Sequence, residues 1–240
     1  MSAVLHSSSG GVATITLNRP ESRNALNLEM CRGLIDAAMK IGSDQDIKLV
    51  FVRGSGPAFC AGADLKERQG MNEAQVRERR MKAFEAYAAL EALPMPSIAV
   101  VEGPAVGSGC EIASACDFIV ATPAASFRTP EALRGTVGAT QRLARVLGKR
   151  LAKDMMFTGR VVSAEEALQA GLVARLVSSG DVNSELEKIK TIICKAPSQS
   201  LRLAKRCIDK GVELDPKGAL ETEIAAIEEQ LASGSWMGKA

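Results

Sequence analysis

The sequence predicts an α/β fold, with one core of largely parallel strands followed by a helical C-terminal region. Three observations carry this reading. Strand-like and helix-like stretches alternate as far as about residue 138. Consecutive helical stretches then take over, with one more short strand among them. No linker rich in Pro, Gly or Ser separates two domains, so the chain divides simply into an α/β core, 1–180, and a helical region, 181–240.

The elements follow in order. VATITLN (12–18) alternates as a half-buried strand, and Asn27 is placed to cap a helix running to about Ile41. KLVFVRG (48–54) reads as a buried strand, followed by the loop SGPAFCAGAD. Asn72 is placed to cap a long helix, NEAQVRERRMKAFEAYAALEAL, which Pro94 and Pro96 end. SIAVVEG (97–103) is the next strand. A glycine-rich loop then leads into a short helix from about Gly109 to Ala115 and the strand DFIVAT (117–122). Beyond residue 138, GATQRLARVLG, KRLAKDMMF and SAEEALQA read as helices, the last with a capping-box spacing of Ser163 and Glu166. LVARLVS (172–178) reads as a strand. Three more helical stretches begin near Val182, with breaks at Pro197 and near Pro216. The start, MSAVLHSSSGG, reads as a mobile terminus.

Composition narrows the chemistry. The chain is 46% hydrophobic and 24% charged, which marks a globular protein. A net charge of +2 gives no electrostatic argument for nucleic acid or an anionic membrane. With 3% aromatic residues, the cluster Arg77, Arg79, Arg80 and Lys82 reads as a solvated helix face and not as a nucleic-acid site. No apolar run approaches the roughly 18 residues that span a bilayer, and the start lacks the features of a signal peptide. A cytoplasmic protein is expected. Six cysteines show no C-x-x-C pair and read as small buried hydrophobes, with no metal site. The one histidine, His6, lies in the N-terminal stretch, which argues against His triads and His metal centres. An enzyme built from this chain must work with carboxylates, lysines or backbone groups.

Two loops share a design: AFCAGAD (58–64) and GPAVGSGCE (103–111) each follow a strand and feed a helix or turn. Free N–H groups point outward at such places. Two of them side by side can hold an oxyanion, each donor worth about 2.7–4 kcal/mol in a transition state. Gly103, Gly107 and Gly109 give G-x-x-x-G-x-G, which is not the dinucleotide or phosphate-loop spacing. A serine-hydrolase elbow needs glycine where Val106 stands, so Ser108 is a poor nucleophile candidate. Glu111 lies in the first turn of a helix whose other residues are small and mostly apolar. Glu131 follows twenty residues on, just after Pro130. Each carboxylate has two readings, a helix-start charge that complements the dipole or half of an acid–base pair acting on water.

The stretches LNRPESRNAL, AFCAGADLKER, VEGPAVGSGCEIASACDFIVAT, FRTPEALRGT, TQRLARVLG and FTGRVVSAEEALQAGLV resemble the enoyl-CoA hydratase/isomerase (crotonase) superfamily, in order and over about residues 10–230. The resemblance implies a spiral of repeated ββα units, a helical C-terminal region that builds trimers or dimers of trimers, and acyl-CoA thioester substrates. It implies no cofactor, coenzyme A being part of the substrate. Carried over, the N–H groups of Ala63 and Ser108 form an oxyanion hole. Arg23, Ala25, Ala61, Ala63, Asp64, Leu65, Lys66 and Gly107 bind CoA or substrate. Glu111 and Glu131 are the catalytic carboxylates of the hydratase pattern, adding water syn across a trans-2-enoyl-CoA to give a 3-hydroxyacyl-CoA, as in fatty-acid β-oxidation. The alternative is a double-bond isomerase, or a member that binds acyl-CoA with little hydration. Three departures from the pattern stand out. Ser108 replaces the usual glycine, the Thr136–Thr140 stretch is short, and relatives continue beyond SGSWMGKA into a helix that closes over CoA.

Overall fold

The computed structural model describes residues 2–234. Among these, nine strands form: β1 (Val4–Ser9), β2 (Val12–Leu17), β3 (Leu49–Gly54), β4 (Ser97–Val101), β5 (Pro104–Val106), β6 (Phe118–Ala121), β7 (Ser126–Arg128), β8 (Val162–Ser163) and β9 (Arg175–Leu176). The helices are α1 (Leu28–Ser43), α2 (Leu65–Arg68), α3 (Glu73–Glu91), α4 (Ser108–Ser114), α5 (Arg142–Thr158), α6 (Ala164–Gln169), α7 (Val182–Lys195), α8 (Ser198–Gly211) and α9 (Pro216–Ser233).

A six-stranded sheet runs β1-β2-β3-β4-β6-β9, parallel throughout except for the β1–β2 hairpin. A second sheet runs β5-β7-β8. Isolated bridges extend this smaller layer, joining Leu26 to Ala63 and Cys60 to Ala105. Each turn of chain thus gives one strand to the large sheet, a short extended piece to the small one, and then a helix. The sequences β4–β5–α4 and β6–β7–α5 are two such ββα turns, and β3 with residues 60–63 and α3 makes a third. This is the spiral that the resemblance implies.

A parallel sheet must be covered on both faces, and the side chains of β3 show how. Val50 and Val52 join a core with Leu34 of α1 and Leu90 of α3. Leu49 and Phe51 turn to the other face, where Val182, Leu186 and Ile189 of α7 cover them. The run LVFV therefore carries no polar alternation. Caps work locally: the Asn27 side chain accepts the Met30 N–H at 2.9 Å, and Asn72 with Gln75 forms a full capping box on α3.

Several expectations need correction. The N-terminal stretch is not a loose end, because Val4–Ser9 pairs antiparallel with β2 and His6 lies opposite Ile15. Only Val4 of this strand is buried, so no alternation betrays it. The helix expected from Gly138 begins at Arg142. The division expected between GATQRLARVLG and KRLAKDMMF is present, because Gly148, with a φ of 72° and ψ of 161°, is non-helical and kinks α5. The capping box at Ser163 is half made: Ser163 accepts the Glu166 N–H at 3.2 Å, but the Glu166 carboxylate pairs with Arg160. Arg79 is not on a solvated face. It is 4% exposed, its Nε donates to Glu67 at 2.6 Å, and its Nη2 donates to the Leu26 carbonyl. No helix among the described residues is long and apolar enough to cross a membrane.

Candidate active site

The two glycine-containing loops meet. Segment 60–64 lies between residues 23–26 on one side and β5 on the other. Cys60 bonds to β5, donating to the Pro104 carbonyl and accepting from Val106 N–H, while Ala61 donates to the Arg23 carbonyl. In regular extended chain Gly62 would turn back to β5, but its φ of 96° lets its carbonyl accept from Leu26 instead. Asp64 N–H also donates to Leu26. Ala63, between these two contacts, therefore turns its own N–H to the side opposite Leu26. Ser108 is the first residue of α4, so its N–H has no acceptor within the helix. Among the described residues neither N–H has a protein acceptor, and both residues line one cavity of about 490 Å³.

Both carboxylates line the same cavity. Glu111, 4% exposed, is compensated by a residue outside its helix: Arg142 Nη1 donates to its Oε2 at 2.8 Å. Arg142 also donates to Glu91 Oε2 at 2.6 Å and lies 5.8 Å over the Tyr87 ring. Glu111 Oε1 takes no partner among the described residues.

Glu131 is set differently, on a loop held by its own backbone. Its carbonyl accepts from Arg134 N–H at 3.0 Å, Thr136 N–H at 2.9 Å and the Thr136 hydroxyl at 3.2 Å. Its carboxyl oxygen Oε2 is buried without a partner among the described residues. Burial first, and then the nearby Glu111 charge, push its pKa above the usual glutamate range, with backbone hydrogen bonding and Arg134 opposing. Gly107 makes room for it. A Cβ there would collide with Glu131 Oε1 and stand 3.2 Å from its carboxyl carbon, and the φ of 52° favours glycine independently.

The other sequence-derived positions divide. Ala61, Ala63, Leu65 and Gly107 line the cavity, whereas Arg23, Ala25, Asp64 and Lys66 lie outside its wall. Arg23 and Lys66 are exposed. Asp64 is occupied structurally: it caps α2 by accepting from Lys66 N–H at 3.0 Å and Glu67 N–H at 3.2 Å, and pairs with Arg19 at 2.8 Å. Burial opposes its ionisation, but Arg19 and the capping N–H groups hold its pKa below the usual range. Four of the six cysteines are buried, as small hydrophobes. Burial pushes the Cys60 thiol beside the cavity up to about 12, so it stays neutral.

Sequence reasoning missed Arg142 and Tyr87. The signal for the first was present, because a carboxylate among small apolar residues requires a compensating charge. The partner lay 31 residues away, in a helix read only for its periodicity. Tyr87 is 3% exposed and lines the cavity together with Ser108.

The ββα spiral thus brings Ala63, Ser108, Glu111 and Glu131 to one cavity. The enoyl-CoA hydratase/isomerase family model matches residues 7–236, and the chain belongs to that family. The chain is 35% identical to the short-chain-enoyl-CoA hydratase of Clostridium acetobutylicum over 224 residues, covering 92% of this chain and 86% of that protein. The crystal structure of enoyl-CoA hydratase from Bacillus anthracis superposes with a TM-score of 0.91 at 35% identity, covering 94% of this chain and 90% of the other. A Thermobifida fusca structure in complex with CoA, 26% identical, gives a TM-score of 0.88 over 97% of this chain and 94% of its own.

Proposed function

We propose that this protein is an enoyl-CoA hydratase that adds water syn to a trans-2-enoyl-CoA. The observation that carries the reading is the convergence of Glu111 and Glu131 on one cavity with the N–H groups of Ala63 and Ser108. The thioester oxygen takes both N–H groups. Water, oriented by Glu111 Oε1, bonds through its oxygen to C3 and gives a proton to Glu111. The C2–C3 π electrons move toward the thioester oxygen as an enolate. The carboxyl of Glu131, whose proton burial holds more firmly than in a free glutamate, then passes that proton to C2 and the carbonyl re-forms. The two carboxyls afterwards exchange a proton through solvent, and H and OH have been added.

No cofactor or metal enters this scheme, and coenzyme A arrives as part of the substrate. Ala61, Ala63, Leu65 and Gly107 line the substrate end, with Arg23, Ala25, Asp64 and Lys66 along the outer CoA path. The helical region 181–240 is proposed to build a homotrimer or dimer of trimers. Exposed Ile208, Val212, Leu220, Ile224, Ile227 and Leu231 on and beside α8–α9 support this. A cytoplasmic location completes the reading. The further C-terminal helix that the resemblance implies for relatives falls beyond residue 234, outside the described residues. The Arg142–Glu111 pair supports a second reading, since a clamped Glu111 leaves Glu131 as the proton carrier of a double-bond isomerase.

Glu111→Gln and Glu131→Gln, assayed separately for crotonyl-CoA hydration and for 3-enoyl-CoA isomerisation, decide. Each is expected to lower hydration by about 10²–10⁴-fold. Full hydration activity in both variants overturns the hydratase mechanism. Isomerisation that survives Glu111→Gln but not Glu131→Gln establishes the second reading.

A further inference from the structure

The geometry points to Arg142 as a positioning residue that fixes the catalytic orientation of Glu111, an inference that rests on the hydratase reading. Glu111 enters the cavity from α4, and although Arg68, Arg79, Arg80 and Arg134 also line that cavity, none of them pairs with it. Glu131 faces it across the cavity from the loop after β7, and Tyr87 lies nearby on α3. Cys110 precedes it on its own helix with a buried thiol that burial keeps neutral. The cation is Arg142 of α5, which reaches Oε2 and leaves Oε1 to the cavity.

The approach comes from behind. Glu111 lines the catalytic cavity. Arg142 and Glu91 instead line a separate groove of about 1190 Å³ beside α3, α5 and α8. The ion pair is therefore part of the wall between the two spaces. Arg142 supplies a counter-charge without entering the substrate cavity. The guanidinium is itself over-determined: one nitrogen holds Glu111, a second holds Glu91, and its plane lies over the Tyr87 ring. Its Nε is buried without a partner, a cost accepted at this spot. A carboxylate gripped at one oxygen has lost its rotational freedom, so the lone pairs of the other point in one direction only. Catalysis is sensitive to that direction, because a misplacement of about 1 Å can cost as much as 10²-fold.

A role confined to holding α5 against α3 would show as lost stability. A positioning role shows in kcat. Arg142→Met is expected to lower kcat for hydration by about 10- to 10²-fold, with KM within about twofold. Arg142→Lys is expected to regain most of the loss, because an ammonium still supplies the charge. Glu91→Gln is expected to change kcat by less than about threefold, since it acts only through the arginine. The melting temperature is followed for each variant. Two results overturn the inference: Arg142→Met with wild-type kcat, or a loss in Arg142→Met that follows its melting temperature and KM and is not regained with lysine. If Glu111→Gln is inactive while Arg142→Met is normal, only the positioning role fails. If Glu111→Gln is fully active, the hydratase mechanism fails and the positioning role with it.

Discussion

The start of α4 and the loop after β7 each bring one glutamate to the same cavity, and they do so by opposite means. Glu111 sits on a helix packed into the core, between buried Cys110 and Ile112, and a guanidinium holds it. Glu131 sits on a turn fixed through its carbonyl, and one of its carboxyl oxygens is buried with no partner among the described residues. The first arrangement holds one carboxyl oxygen in a set direction. The second favours a carboxyl that keeps its proton. Two chemically identical side chains thus sit in different environments, a contrast on which the proposed acid–base chemistry draws.

The sharpest way to break this comparison is at the point where the two regions touch. Gly107 precedes α4, and Glu131 Oε1 occupies the space where a Cβ would go. Gly107→Ala adds that methyl group at a φ of 52°. The backbone strain costs about 1–3 kcal/mol, and the Glu131 carboxylate and the adjacent Ser108 N–H are displaced together. Hydration is expected to fall by about 10²-fold or more. A melting temperature lowered by a few degrees with unchanged kcat shows instead that the carboxylate has room to move and that the contact does not matter to the reaction.

What the sequence revealed follows from the range of the forces involved. The caps at Asn27 and Asn72 and the breaks at Pro197 and Pro216 are local and were legible. The small sheet was not, because strands of two or three residues such as β5 and β8 carry no periodicity and exist only through their partners. β1 was missed because five of its six residues are exposed, and Arg79 because an arginine in a charged helix looks solvated until Glu67 and Leu26 are placed beside it. At the site, Glu111, Glu131, Ala63 and Ser108 were reached through motif spacing and resemblance. Arg142 was not, since an ion pair between α4 and α5 leaves no mark on either helix's pattern.

A smaller effect sharpens the comparison through stability. Burial raises the Glu131 pKa above its ordinary value, with the Glu111 charge adding to it. The protonated fold is therefore favoured. Stability associated with this group is fully present below the ordinary glutamate value of about 4.3 and is lost as pH rises through the raised value. Glu131→Gln removes the charge and keeps the shape. It is expected to melt higher than the wild type at pH 7, by a margin that shrinks as pH falls toward about 4. Glu111→Gln removes the buried member of an ion pair with half-buried Arg142 and is expected to melt lower. Melting curves at several pH values test the pair. Equal shifts of the same sign in both variants refute the distinction between a clamped and an unclamped carboxylate.

The smallest expected effect belongs to Ser108, where the structure separates backbone from side chain. The N–H at the head of α4 has no acceptor among the described residues, while the side chain shares the cavity lining with the buried Tyr87. Ser108→Ala keeps the N–H and removes only the hydroxyl, at a cost of about 1 kcal/mol or less in stability. The rate of hydration is expected to stay within about threefold of wild type, because a side chain that makes no transition-state contact has no leverage on kcat. Short and longer enoyl-CoA substrates assayed side by side add a second readout. A methyl group is smaller than the hydroxymethyl it replaces, so any gain should grow with acyl length. A loss of about 10²-fold in Ser108→Ala would instead assign chemistry to the hydroxyl and place a third polar group beside the two carboxylates.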